Sequence, residues 1–134
     1  MNRLCLDIGK ARIGIASSYS TLASNYETLY CKSWNKDTNK IAEIAQKFGA
    51  EEIIVGLPLN MDGTEGDMCV YVKGFCNMLQ TKTTAKIIFV DERLTSIDAE
   101  HIMHQSHVKT SKKKGMIDQI AATLILQTYL DGLK

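Results

Sequence analysis

Proline is nearly missing from this 134-residue chain, which holds only Pro58, and no segment of it repeats another. Nothing marks off a linker, so residues 1–134 are expected to form one domain. With 45% hydrophobic residues, a chain of this length buries roughly two-thirds of its unfolded surface. Charge of one sign is also lacking: 16 Lys and Arg against 15 Asp and Glu leave a formal net charge of +1. That excludes an all-over basic footprint, and any nucleic-acid-binding surface must be local. The four cysteines, Cys5, Cys31, Cys69 and Cys76, form no CxxC pair. Cys5, Cys69 and Cys76 fall in segments that read as core strand and helix, so reduced, buried thiols are expected. No apolar run approaches the roughly 18 residues that span a bilayer, and the N-terminus reaches charge and glycine too soon for a signal peptide. The expectation is a cytoplasmic protein without a membrane partner.

Two short apolar segments, Arg3 to Ile8 and Arg12 to Ser17, are separated by Gly9-Lys10-Ala11, a spacing that suits an antiparallel hairpin. Tyr26 to Cys31 is a weaker third strand that would protect the hairpin's far edge. Ile41, Ile44, Ala45 and Phe48 form a helical stripe ended by Gly49. The β-branched runs Glu52 to Gly56 and Lys86 to Val90 flank a second stripe of Met68, Val72, Phe75 and Leu79, which reads as a βαβ unit with parallel strands. Thr95 and Asp98 then predict a short capped helix carrying Ala99, Ile102 and Met103. A basic loop, VKTSKKKG at 108–115, leads to a last helix with Ile117, Ile120, Ala121, Leu124 and Thr128 on its buried side. The sum is an α/β domain: a mixed five-stranded sheet, three antiparallel strands then two parallel, with helices on both faces, in the order seen in ribonuclease-H-like folds.

Asp7 is the residue that an all-structural reading explains least well, because it interrupts an apolar strand and a lone buried carboxylate is costly. Parallel strands of such a sheet end at one edge, where ligands commonly bind, and Asp91-Glu92-Arg93 follows directly after one of them. Asp118, placed at the opening of the last helix ahead of the small Ala121 and Ala122, would join Asp7 there. Crowded carboxylates raise one another's pKa unless a cation holds them ionised. An oxygen-only set favours Mg²⁺ or Mn²⁺, and two such ions roughly 4 Å apart suit phosphodiester hydrolysis.

Plainer readings stand beside this one. Asp118 also suits the macrodipole of a helix N-terminus, an effect of about 0.3–1 kcal/mol. Asp91 and Glu92 are open to pairing with Arg93 or Arg12 as surface ions, and Asp7 to capping the turn at Gly9 or Lys10. The glycine-rich loop at 56–66 is a weak candidate for a phosphate cradle. Lys112, Lys113 and Lys114 are either a solvated loop or a contact to a nucleic-acid backbone. His101, His104 and His107 lack the partners of a zinc site and read as surface histidines.

Four segments together, LDIGKARIGIA (6–16), IIVGLPLNMDGTEG (53–66), VDERLTSIDA (90–99) and KKKGMIDQIAATLILQTYL (112–130), resemble the bacterial YqgF/RuvX family in order, spacing and total length. The resemblance implies a ribonuclease-H-like fold related to Holliday junction resolvases and a metal-dependent nuclease acting in 5′-end maturation of pre-16S ribosomal RNA. Junction resolution on branched DNA is the family's older label. Carried over by motif, Asp7, Glu92 and Asp118 are the catalytic and metal-holding acids, with Arg12 and Arg93 as supporting phosphate or structural groups. Whether Asp91 or Glu92 faces inward depends on register, since a shift of one residue reverses the face of a strand.

The competing classes are a non-catalytic rRNA assembly factor and an actin-like ATPase, which needs two such domains where 134 residues supply one. Cutting both strands of a junction needs two active sites, so that substrate would call for a homodimer.

Overall fold

A computed structural model describes residues 1–92 and 110–133, with the backbone alone for 110–114. The expected meander is present. Strands β1 (Arg3–Ile8) and β2 (Arg12–Ser18) are antiparallel, closed by the Gly9 N–H donating to the Arg12 carbonyl at 2.9 Å, and β3 (Ser24–Tyr30) pairs with β2. The third strand lies at Ser24–Tyr30 instead of Tyr26 to Cys31, and its imperfect alternation reflects an irregularity at Ile15/Ala16, where the pairing skips Tyr26. Strands β4 (Glu52–Leu57) and β5 (Lys86–Asp91) are parallel, and the sheet order is β3-β2-β1-β4-β5. The strand beside β1 is therefore β4, and the strand leading to Asp91-Glu92 lies one position further out.

Side-chain alternation divides the core in two. Leu4, Leu6, Ile8, Ile13, Ile15, Ile53 and Val55 face α1 (Trp34–Phe48) and α2 (Asp67–Gln80). The first helix begins where the Ser33 side chain accepts the Lys36 N–H, and it ends at Gly49 with φ 69°, the left-handed cap the sequence predicts. Cys5, Ala16 and Ile54 face the other way, against Ala122, Ile125, Leu126 and Leu130 of α3 (Thr110–Gly132).

This last helix departs from expectation twice. It runs from Thr110, so most of the predicted basic loop is helical and Asp118 lies well inside the helix instead of opening it. Lysine is a good helix former, and Gly115 costs only about 1 kcal/mol relative to alanine. The buried side is also rotated: Ala122, Ile125, Leu126 and Leu130 are enclosed with Ala121, whereas Thr128 is exposed and Ile117, Ile120 and Leu124 are part-buried. The close approach of α3 to β2, described below, sets which residues face the sheet.

The short helix predicted after Thr95, Arg93 and the three histidines lie outside the described residues. All four cysteines are free thiols, three of them buried. Among the described residues no helix is long and apolar enough to cross a membrane.

Candidate active site

Asp7 shares its face of the sheet with Cys5, on the α3 side, and its partner across the β1–β2 ladder is Gly14. Gly14 has a specific purpose there, since a Cβ at this position would overlap the Asp118 carbonyl of α3. The missing side chain lets the helix backbone settle on β2 and brings Asp118 over the strand. Two residues away on the same face of β2, Arg12 Nε donates to Asp118 Oδ2 at 2.6 Å.

A second glycine does the same on the other flank. Gly56 of β4 stands between β1 and β5, and a Cβ on it would strike Glu92 Oε2 and Ile125 Cδ1. Ile88 and Val90 pack against the α3-side core, so alternation carries Glu92 to that face and Asp91 to the opposite one. Glu92 is the acid of the DER tripeptide that meets Asp7, and the two side chains share a hydrogen bond.

Burial raises the Asp7 carboxyl to about 6; the nearby Asp118 charge adds to the rise, and the hydrogen bond from Glu92 opposes it. Glu92 is pushed up to about 8 by burial, then by the charge and hydrogen bond of Asp7 and by Asp91. Both carboxyls are thus pushed toward the protonated form, and the hydrogen bond between them holds a proton that the two acids share. The buried Cys5 thiol is raised by burial and by both acids, which leaves it unreactive.

The structure thus brings Asp7 to Glu92 and Arg12 to Asp118, with the Asp118 charge felt at Asp7. Among the described residues no group of three carboxylate, imidazole or thiol side chains is already set as a metal site, and Asp118 is turned to Arg12. The donor set is nevertheless all oxygen, and two of its members are costly to ionise without a cation, which is the chemistry that fits Mg²⁺ or Mn²⁺. Lys112, Lys113 and Lys114 occupy the first turns of α3 and Arg93 lies outside the described residues.

Several plainer readings give way. Asp118 is too far into α3 to act as a first-turn acid. Arg12 pairs with Asp118 and not with the DER acids. The Gly9 N–H that Asp7 would have capped is taken by the Arg12 carbonyl. The 56–66 loop spends its amides internally: Asn60 N–H donates to the Thr64 carbonyl, Gly63 N–H to the Asn60 carbonyl and Thr64 N–H to Asp62 Oδ1. With Asp62 and Glu65 in it, the loop is no anion cradle. The residues missed from sequence are Gly14 and Gly56, whose signal was an isolated glycine inside an apolar strand.

The chain is similar to known proteins along nearly its whole length. The family profile described as "RuvX: Holliday junction resolvase" matches residues 1–132. A Syntrophus aciditrophicus protein named "Putative pre-16S rRNA nuclease" is 39% identical, covering 99% of this chain and 90% of its own length. A Syntrophomonas wolfei protein of the same name is 40% identical over 98% of this chain and 95% of its own. Among solved structures, T. thermophilus RuvC in complex with a Holliday junction superposes with a TM-score of 0.62 at 11% identity, covering 98% of this chain and 96% of that one. Fowlpox virus resolvase with junction DNA gives 0.57 at 13% identity, covering 99% of each chain. The fold is the ribonuclease-H-like fold of these resolvases.

Proposed function

The chain belongs to the RuvX Holliday junction resolvase family, and from that premise we propose that it is a metal-dependent endonuclease hydrolysing phosphodiester bonds of structured nucleic acid, acting in 5′-end maturation of pre-16S rRNA. The observation that carries the reading is the convergence of Asp7 and Glu92 across Gly56, with Asp118 held over Gly14. Relatives at about 40% identity that carry the pre-16S rRNA name support the choice of substrate.

In this reading Asp7, Glu92 and Asp118 hold one or two divalent ions, Mg²⁺ or Mn²⁺. Such an ion would supply an acidified water and charge stabilisation at the scissile phosphate. Asp7 and Glu92 would hold it once the proton shared between them is given up. Arg12 neutralises Asp118 in the metal-free protein, and its guanidinium would be available to a phosphate oxygen if Asp118 held a cation instead. Arg93 and Lys112 to Lys114 are assigned to the substrate backbone, which localises basic charge on a chain of net charge +1. Residues 1–134 act as one domain in the cytoplasm.

The family description and the fold shared with junction-bound resolvases favour a second reading, branched DNA as substrate, with a homodimer supplying the second active site. Labelled pre-16S 5′-leader RNA and a synthetic four-way junction, each incubated with Mn²⁺ or Mg²⁺ and each repeated with Asp7→Asn, decide between them. Cleavage that needs metal and Asp7 supports the nuclease, and the preferred substrate selects the reading. Binding without cleavage overturns both in favour of an assembly factor.

A further inference from the structure

Beyond Arg12, on the same side of the sheet, a groove of about 380 Å³ opens between β3 and α3. Its volume lies in the range of sites that hold small planar ligands. Tyr30 forms one wall. It is the cross-strand partner of Arg12, and 60% of its surface is exposed. Its hydroxyl lies 2.9 Å from where a Cβ on Gly115 would stand, so the tip of the ring rests near the helix while much of the ring stays in water. Met116, also partly exposed, supplies further apolar surface.

The polar groups of the groove are fixed in place. Gln119 Nε2 donates to Thr28 Oγ1 at 2.9 Å, and Thr28 Oγ1 donates to the Gly115 carbonyl at 2.6 Å. Those bonds orient the Gln119 carboxamide and leave it a second N–H and its oxygen, one donor and one acceptor. The charged residue lining the groove is Glu27, which repels phosphate. An aromatic face, a fixed amide and a carboxylate that discourages the backbone together describe a place for a base.

We propose that this groove receives an unpaired nucleobase of the substrate, stacked on Tyr30 and met at its edge by Gln119; the inference rests on the nuclease reading above. The strand carrying that base runs past Arg12 toward Asp118. A substrate with a single-stranded flank at the cut is therefore held more tightly than a fully paired one.

Binding measured without divalent metal separates this subsite from catalysis. Fluorescence anisotropy would compare a single-stranded RNA with a fully paired duplex on the unsubstituted protein, Tyr30→Phe and Tyr30→Ala. Tyr30→Phe should bind as the parent does. Tyr30→Ala should lose roughly 5- to 150-fold on the single strand, the range of one base–aromatic stack, and much less on the duplex. In Tyr30→Trp the added indole emission should quench when the single strand is bound, read as a difference from the parent with its lone Trp34. Equal binding by all variants with unchanged emission overturns the subsite alone. Failure of the unsubstituted protein to bind any nucleic acid overturns the nuclease reading and the subsite with it.

Discussion

Replacing Asp7 by asparagine should abolish cleavage and at the same time make the metal-free protein more stable above neutral pH. Burial pushes the Asp7 carboxyl up from its ordinary 3.8 to about 6 in the folded protein, so the folded state holds the proton more tightly than the unfolded chain does. A raised acid costs nothing below the unfolded pKa. The cost grows as pH climbs from about 4 to about 6 and is complete above that; for Glu92, raised from 4.5 to about 8, the window extends to about 8. A rise of about two units corresponds to about 3 kcal/mol at 1.36 kcal/mol per unit, and partial access of water to the site brings the expected gain to about 2–3 kcal/mol. For 134 residues the unfolding entropy is on the order of 0.3 kcal/mol/K. The Asp7→Asn protein should therefore melt about 7–10 °C higher than the parent at pH 8.5 in chelator, and at the same temperature at pH 3.5. Thermal unfolding followed by circular dichroism at the two pH values makes the comparison. Equal melting temperatures at pH 8.5, or a gain of the same size at pH 3.5, would refute the assignment of strain to the ionised acid pair.

Gly14→Ala places a methyl on the Asp118 backbone and should cost about 1–3 kcal/mol, read as a fall of roughly 4–10 °C in melting temperature with cleavage lost. Arg12→Gln removes a partly exposed ion pair worth at most about 1 kcal/mol, so melting should move by less than about 4 °C. Calorimetric titration of that variant should show tighter Mn²⁺ binding, because Asp118 no longer has a competing cation. Mn²⁺ at about a hundred times its dissociation constant should stabilise the parent by about 2.7 kcal/mol, an upward thermal shift reversed by chelator and much reduced in Asp7→Asn.

Local pattern carried much of the architecture. The apolar runs Arg3 to Ile8 and Arg12 to Ser17, the Gly9-Lys10-Ala11 turn, the Ile41 to Phe48 stripe stopped by Gly49, and the two β-branched runs are short-range signals, and each of these elements formed close to where its own residues favour it. Asp7 was legible as a candidate because its neighbours are apolar. The choice of Glu92 over Asp91 was not, since it depends on β5 keeping its register against β4. Nor was the start of α3: lysines and a glycine read as a loop until the helix they belong to packs on β2. The sequence by itself therefore determined which segments become strands and helices and which acids stand out. Only the tertiary structure decided that those acids meet, because their meeting depends on two glycines, Gly14 and Gly56, whose missing side chains have meaning only once the helix and the neighbouring strand are in place.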